Sequence, residues 1–288
     1  TKLENNLAFI KKKGIKTAFW LLTGKFFPAL TYFYEKQRYG HCLRNNIPYF
    51  GEYMAARQGD PRRHFYMDKI VERKCRMGSH IDELAILEIG SWAGGSAIVW
   101  AEAIKKHNHG KGKITCVDPW QSYFNLGRDK YSVYKDMNKA AQNDQIYKLF
   151  LHNIKTTQND HIVTPLRGKS CDVLPSLRSR KFDIIYIDGS HSYSDVFIDL
   201  TCSADLVDDA GFLCGDDLEL QADEVDLDFA KENKDKDYVL DPKTKRFYHP
   251  GVTLAAAEFF RPVSAWEGFW VMKKNGKLWD KIDLSNPD

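Results

Sequence analysis

The middle of the chain alternates between short apolar runs and amphipathic stretches. Five apolar runs have the length of strands that are buried on both faces of a sheet. These runs cover residues 84–89, 113–117, 161–166, 182–187 and 211–214. Helical patterns lie between them at residues 97–106, 131–153, 170–177 and 193–206. Because strands that alternate with helices need crossover connections, the pattern predicts a mostly parallel, doubly wound α/β sheet with helices on both faces.

The segments on either side of this alternating part are less regular. Residues 66–77 have a helical pattern, whereas residues 35–64 contain several Gly and Pro residues and predict an irregular connection. The stretch 219–248 is rich in Asp, Glu and Lys, which predicts a mobile, solvated excursion or, alternatively, a lid over a site. A helix at residues 252–260 and a hairpin at residues 264–273 are predicted to close the sheet.

An N-terminal extension over residues 1–65 precedes the predicted main domain over residues 66–288. Within it, residues 9–34 combine a basic cluster with many aromatic and aliphatic side chains. Such a segment must bury its apolar face on the main domain, on a sister subunit of a homo-oligomer, or at an anionic membrane surface. No apolar run of about 18 residues is uninterrupted, so the sequence predicts no spanning helix.

The composition narrows the choice of partners. Of the 288 residues, 43% are hydrophobic and 28% are charged, and the net charge of +3 provides no strong attractive field for nucleic acid. Because of this small net charge, we expect no nucleic-acid partner. The six cysteines form no CxxC pair, which favours reduced thiols and a cytoplasmic location over disulfides.

Chemistry-bearing residues gather where the strands end. Glu88 near the end of the first strand precedes a loop, residues 90–96, with three glycines ahead of a helix. Such a loop lets a ligand approach the backbone closely, although it can also serve only as a tight turn. The spacing is not GxGxxG, and Trp92 would crowd a pyrophosphate. Because Glu88 can bind an ammonium and Asp118 can accept ribose hydroxyls, the pattern favours a ligand with a ribose, a cation and a carboxylate but no phosphate.

A second group of polar side chains follows two neighbouring strands. Asp188 and His191 come after the fourth strand, and Asp216 and Asp217 come after the fifth. Three converging carboxylates would repel one another unless they are protonated or neutralised, and Mg²⁺ suits such oxygen ligands. The ion could lower the pKa of a substrate hydroxyl while His191 removes its proton. The alternative to a metal site is that Asp216 and Asp217 cap the next helix and that His191 is only a surface or capping residue.

Two weaker signals add to the candidate site. After the third strand, Lys169 precedes Ser170, which would either cap a helix or contact an adenine edge. Trp92 and Trp120 lie in loops at strand ends, so they are better candidates for ligand contacts than the other aromatic residues, which are more typical of a core.

Taken together, these stretches resemble the class I S-adenosylmethionine-dependent methyltransferases. The likeness spans residues 84–218, and it is carried by LEIGSWAGGSAIVWA, ITCVDPW, IDGSHSYSDVFIDL and CGDDL. Their order looks like the branch that contains rhamnosyl and macrolide-sugar O-methyltransferases and cephalosporin hydroxylase-like proteins. The resemblance implies a Rossmann-like sheet of seven strands in the order 3-2-1-4-5-7-6, with strand seven antiparallel.

The resemblance also implies the roles of individual residues. The residues predicted to bind S-adenosylmethionine are Glu88, Gly90, Ser91, Trp92, Gly94, Ser96, Asp118, Trp120, Lys169 and Ser170. In that set, Asp118 would bind the ribose, and Lys169 and Ser170 would lie at the adenine side. Mg²⁺ would be held by Asp188, Asp216 and Asp217. The predicted catalytic residues are Asp188 and His191, with His191 as the general base.

The predicted function is Mg²⁺-dependent methyl transfer from S-adenosylmethionine to a sugar hydroxyl of a glycan, a glycolipid or a glycosylated natural product. One alternative is the same fold acting on a non-sugar small-molecule diol. A nicotinamide-dependent oxidoreductase is a second alternative, which Trp92 disfavours. A noncatalytic interaction protein is the third, and the intact acids and His191 disfavour it. The expected partner is thus a small-molecule or glycan acceptor.

Overall fold

The computed structural model of the chain describes residues 28–77, 82–127 and 131–284. Most of the segment that we predict to contact a subunit or a membrane, residues 9–27, therefore lies outside the described residues. Among the residues that are described, no helix combines the length and the apolar character that are needed to cross a bilayer.

Nine helices and ten strands are found in the described ranges. The helices are α1 (Pro28–Arg44), α2 (Pro61–Met77), α3 (Gly95–His107), α4 (Ser132–Ala140), α5 (Gln145–Thr156), α6 (Ser170–Val173), α7 (Tyr193–Ala204), α8 (Leu227–Glu232) and α9 (Pro250–Phe260). The strands are β1 (Leu84–Ile89), β2 (Gly112–Asp118), β3 (Val163–Arg167), β4 (Phe182–Ile187), β5 (Val207–Leu218), β6 (Val239–Leu240), β7 (Phe247–Tyr248), β8 (Ser264–Trp266), β9 (Gly268–Asn275) and β10 (Leu278–Asp280).

The main sheet follows the order β3-β2-β1-β4-β5-β9-β10, with β8 paired to β9. Its first five strands are parallel, and β9 runs antiparallel to β5. Because β5 occupies one edge of β9, the two short strands β8 and β10 share the other edge. The predicted fold class and strand order are thus confirmed. The sheet has one strand more than predicted, since the place of the single predicted edge strand beside the antiparallel strand is shared by β8 and β10.

Two hydrophobic clusters cover the two faces of this sheet. One face packs against α2, α3 and α5 through residues such as Ile86, Trp100 and Phe150. The other packs against α7 and α9 through residues such as Leu87 and Leu200. Burial of each such aliphatic side chain contributes about 1.5–3 kcal/mol. Consecutive residues of β1 serve opposite faces, which explains why every residue of the strand except Glu88 is apolar.

Two helical predictions needed correction. The predicted irregular connection over residues 35–64 is wrong at both ends, because α1 continues to Arg44 and α2 begins at Pro61. Proline is favoured at the first position of a helix, where its missing N–H costs nothing. The predicted single helix over residues 131–153 is divided into α4 and α5. Asn143 and Asp144, which tolerate the left-handed conformation, have φ values of 53° and 58° at the break.

The charged stretch 219–248 has structure of its own. It contains α8 and the two-stranded β6-β7 sheet, and it buries a small cluster that includes Leu220, Val225 and Tyr248. The prediction of a purely solvated excursion missed this cluster, because the few apolar residues are spread thinly along a charged sequence. The insertion lies against the loop that follows β4, since Tyr193 N–H donates to Lys234 O at 3.0 Å.

Candidate active site

A cavity of about 620 Å³ opens at the carboxyl ends of the parallel strands. Its wall is built from the loops after β1, β2 and β4, from Asp216 and Asp217 near the end of β5, and from the chain ahead of α2 and the first turns of α2, α6 and α7. The predicted site residues on this wall are Gly90, Ser91, Trp92, Ser96, Asp118, Lys169, Ser170, Asp188, His191, Asp216 and Asp217. The topology therefore brings most of the predicted site together in one space.

Gly90 lets β1 and β4 approach each other closely at the cavity floor. Its φ is +90°, and a Cβ atom at this position would lie 1.9 Å from Asp188 O. In addition, Asp188 N–H donates to Ile89 O at 2.8 Å. Only glycine combines this backbone conformation with such a close contact. The glycine therefore sets the position of Asp188 as well as the start of the loop.

Asp118 joins the loops after β1 and β2. Its two carboxylate oxygens accept hydrogen bonds from Trp92 N–H at 2.9 Å and from Trp120 N–H at 2.5 Å. Burial raises the pKa of Asp118, and these backbone hydrogen bonds partly oppose the shift. Each carboxylate oxygen has a second lone pair, so Asp118 keeps the capacity to accept ligand hydroxyls.

The two loop tryptophans have different surroundings. Trp92 lies on the cavity wall and donates its indole N–H to Ala55 O at 3.1 Å. Trp120 is fully buried, packs against Phe150, and donates its indole N–H to Trp92 O at 2.8 Å. The expectation that Trp120 contacts a ligand directly is therefore corrected, because the hydrophobic core takes up its ring.

Two other predicted cofactor residues also lie off the wall. Gly94 faces α5, where an added Cβ would lie 3.1 Å from Phe150. Glu88 is fully buried, and within the described part of the chain its Oε2 has no hydrogen-bond partner. Burial raises the pKa of Glu88 to about 7, although the nearby hydroxyls of Ser91 and Ser96 oppose the shift. Both serines are on the wall, so Glu88 lies just behind the cavity surface.

The Ser170 end of the cavity contains an acid that was missed at the sequence level. Asp199 of α7 is 3% exposed, lies on the wall, and has no partner at Oδ1. Burial raises its pKa to about 7, with a hydrogen bond to Ser170 in opposition. Its place in the apolar pattern of α7 gave no signal, because one acid on a helix is normally taken as solvent-exposed.

The three predicted metal ligands also lie on the cavity wall. Asp188, Asp216 and Asp217 each place a carboxylate oxygen within 4.8 Å of the other two. Pairing between β5 and β9 shifts between Gly215 and Leu218, and this irregularity lies at the two adjacent acids within β5. Burial and mutual repulsion raise the pKa of Asp188 and of Asp216. This donor set fits a hard divalent cation, which would relieve the repulsion.

Arg63 supplies a positive charge that was not predicted. Its guanidinium donates to Asp216, and its Nη1 lies 3.3 Å from Asp217 Oδ1 and its Nη2 3.5 Å from Glu219 Oε1. Burial alone would lower its pKa, but Asp216 and Asp217 outweigh burial and raise it. No local motif could have identified it, because α2 carries Arg63 to the site from more than 150 positions earlier in the chain.

His191 is held between two carboxylates. Its Nε2 lies 2.9 Å from Asp217 Oδ2, and its Nδ1 lies 2.5 Å from Asp237 Oδ1 in the insertion. Burial alone would lower the pKa of His191, but the two acids outweigh it and raise the pKa well above the ordinary value. His249 packs against His191 with a ring separation of 4.5 Å.

The cavity lies at the carboxyl edge of a Rossmann-like, methyltransferase-type sheet. Residues 87–218 match the family model described as "Methyltransferase domain". The prediction of a class I S-adenosylmethionine-dependent methyltransferase is therefore confirmed for this part of the chain. No curated protein sequence matches the chain.

Several solved structures are similar to the chain over most of its length. The O-methyltransferase NovP is 17% identical, with 74% of this chain and 80% of NovP covered and a TM-score of 0.48. The calicheamicin methyltransferase CalS11 is 11% identical, covering 73% and 77%, with a TM-score of 0.49. The O-methyltransferase from Bacillus cereus in complex with SAH is 14% identical, covering 85% and 86%, with a TM-score of 0.44. These likenesses are too distant to indicate a substrate or a metal.

Proposed function

We propose that the protein is a Mg²⁺-dependent O-methyltransferase that transfers a methyl group from S-adenosylmethionine to a sugar hydroxyl. The observation that carries this proposal is the shared cavity, whose wall includes both Asp118 with the loop after β1 and the carboxylates of Asp188, Asp216 and Asp217. A cofactor held by the first group would present its methyl group to an acceptor held by the second.

At the cofactor end, the wall offers polar groups that suit S-adenosylmethionine. Asp118 would accept hydrogen bonds from the ribose hydroxyls. Glu88, which lies behind Ser91 and Ser96, would attract the ammonium group of the amino-acid part. Lys169 and Ser170 would lie beside the adenine. Trp92 provides an apolar wall that leaves no room for a pyrophosphate, which argues against a nicotinamide cofactor.

At the acceptor end, Asp188, Asp216 and Asp217 would hold Mg²⁺. The bound ion would orient two vicinal acceptor oxygens and lower the pKa of one hydroxyl. His191 takes the proton of that hydroxyl at Nε2, once Asp217 no longer engages this nitrogen. The methyl group then moves in line from the sulfonium to the oxygen, so the main tasks of the protein are positioning and deprotonation.

The first test is calorimetric titration with S-adenosylmethionine, S-adenosylhomocysteine and NAD, each in Mg²⁺ and in chelator. We expect micromolar binding of the first two compounds alone. Binding of NAD instead would support an oxidoreductase, and absence of binding by all three would support a noncatalytic interaction protein.

The second test measures methyl transfer to nucleotide sugars, glycosides and catechol-like diols, with and without chelator. The proposal requires turnover of a sugar that chelator abolishes. Turnover of diols alone would move the assignment to the non-sugar alternative. Full activity in chelator would contradict the metal assignment.

The cellular context is also part of the proposal. All six cysteines are free thiols, and Cys42, Cys116 and Cys214 are buried, which supports a reducing, cytoplasmic environment. We propose a homo-oligomer in which residues 9–34 pack on the main domain or on a sister subunit, with peripheral contact to an anionic membrane as the alternative. Light scattering after size exclusion and flotation with anionic vesicles test these two properties separately.

A further inference from the structure

Asp237 connects the charged insertion to the site. One of its carboxylate oxygens, Oδ1, accepts from His191 Nδ1 at 2.5 Å. The other, Oδ2, accepts from the hydroxyl of Tyr134 on α4. Burial alone would raise the pKa of Asp237, but the hydrogen bond and charge of His191 and the Tyr134 hydroxyl lower it. The carboxylate is therefore charged and oriented at both oxygens.

The backbone around this contact is closely packed. Tyr193 N–H donates to Lys234 O, which joins the start of α7 to the insertion three residues before Asp237. Gly251 at the start of α9 packs against both of these backbone segments. A Cβ atom on Gly251 would lie 2.2 Å from His191 O and 2.7 Å from Lys234 O. The main chains that carry His191 and Asp237 are thus held together by contacts other than their own side-chain hydrogen bond.

We propose that Asp237 is the positioning residue of His191 and that the insertion exists in part to supply it. This inference rests on the proposed function, in which His191 is the base. A neutral imidazole carries one proton, and the ring nitrogen that keeps it is decided by the partner of that nitrogen. Asp237 holds a proton on Nδ1, so Nε2, which lies 2.9 Å from Asp217 Oδ2, is the nitrogen that can take the acceptor proton once Asp217 no longer engages it.

The proton balance follows from this arrangement. The O–H bond of the acceptor breaks, its proton forms a bond with His191 Nε2, and the oxygen lone pair attacks the methyl group as the sulfonium leaves as a neutral thioether. The resulting imidazolium donates from Nδ1 to Asp237, whose negative charge stabilises it. The proton leaves Nε2 to solvent after product release.

The first experiment compares Asp237→Asn and Asp237→Ala with Asp235→Asn. Asp235 is an exposed acid of the same insertion, so its variant removes the same charge without touching the site. We expect kcat to fall about 100-fold in Asp237→Ala and less in Asp237→Asn, whose amide oxygen still accepts from Nδ1–H. The affinity for S-adenosylmethionine and the KM of the acceptor should change less than twofold, and Asp237→Glu should recover part of kcat.

The inference is overturned if Asp237→Asn and Asp235→Asn have the same kcat. A parallel loss of cofactor affinity and kcat would also overturn it, because this would indicate a structural role. Thermal unfolding of each variant identifies proteins that fail to fold. If Asp237→Ala fails to fold, the near-isosteric Asp237→Asn still allows the test.

The second experiment needs no acceptor and so separates this inference from the proposed function. Histidine-selective ¹⁵N NMR, with His191→Gln to assign the signal, reports which ring nitrogen carries a hydrogen-bonded proton. We expect a protonated Nδ1 in the wild type and in Asp235→Asn, with a shifted signal in Asp237→Asn. An unchanged His191 signal in Asp237→Asn contradicts the inference. Absence of methyl transfer by a wild type with the expected signal would instead contradict the proposed function.

Discussion

At the scale of single residues, Glu88 links the site to stability. Its pKa is about 7 in the folded chain against an ordinary value of 4.5, because it is fully buried. The folded state therefore binds this proton more tightly than the unfolded state. Between about pH 4.5 and 7 the contribution of Glu88 to the free energy of unfolding falls as the pH rises, and above about pH 7 it is constant.

Replacing Glu88 by Gln should remove this dependence. We expect the stability difference between the variant and the wild type to change by up to about 3 kcal/mol between pH 5 and pH 8, in favour of the variant at the higher pH. Urea unfolding at both values measures it, and Glu102→Gln on the exposed side of α3 serves as the control. Equal changes in both variants would show that burial of Glu88 is not the cause.

Gly90 makes a second prediction at this scale, with Gly110 as its matched control. Both glycines have positive φ, but an added Cβ meets Asp188 O at 1.9 Å in one case and nothing within 4 Å in the other. Gly110→Ala should cost about 1 kcal/mol for backbone strain alone. Gly90→Ala should cost about 3 kcal/mol or more, because the backbone of β1 or β4 must also move. Similar losses in chemical denaturation would argue against the close approach of the two strands.

At the scale of elements, α2 contributes the counter-charge of the acid cluster. Arg63 is paired with Asp216 and Asp217 on β5, whereas Arg76 at the other end of the helix makes an exposed pair with Glu72. Removing one partner of a buried ion pair is far more costly than removing a surface charge.

Arg63→Gln should therefore lower the free energy of unfolding by about 3 kcal/mol in chelator, and Arg76→Gln by less than about 0.5 kcal/mol. Mg²⁺ should restore part of the loss in Arg63→Gln, since the ion would neutralise the same carboxylates. Unfolding curves with Mg²⁺ and with chelator test both statements. If Arg63→Gln is destabilised but Mg²⁺ does not restore stability, the metal assignment is contradicted. The stabilising role of the Arg63 ion pair would still be supported.

The elements that were predicted well are those whose surroundings are uniform. The bounds of β4 match the predicted strand at residues 182–187, because a strand buried on both faces is apolar along most of its length. Helix ends were less predictable. The limits of α1 and α2 depend on what the flanking chain packs against, and a glycine or proline alone does not report this.

At the scale of the whole molecule, the N-terminal part shares the core of the main domain. Asn153 of α5 is fully buried, accepts from Tyr49 N–H at 2.8 Å, and donates to Tyr49 O at 3.0 Å and to Ala93 O at 2.9 Å. One side chain thus joins a helix, the segment ahead of α2, and the loop at the cofactor end of the cavity.

Asn153→Ala should lower the free energy of unfolding by about 3 kcal/mol, because it leaves buried backbone groups without partners. It should also weaken binding of S-adenosylmethionine, since the loop that contains Ala93 loses its support. The neighbouring His152→Ala removes only an exposed hydrogen bond to Ile47 O and should change neither property. Calorimetric titration and urea unfolding of both variants measure these effects, and unchanged cofactor affinity in Asn153→Ala would contradict the link.

The sequence by itself determined the order of elements, the parallel sheet and the identity of the acids at its edge. This was possible because burial on both faces makes the strands continuously apolar, and because the chain turns polar where each strand ends. The tertiary structure alone decided the partners of those acids and of His191. Arg63 and His249 approach the acids, Asp237 binds His191, and all three come from separate parts of the chain, so their approach depends on packing between distant elements. The burial of Trp120 in the core, away from the cavity, has the same origin. Its position in a loop does not show whether the indole ring packs in the core or lines the cavity.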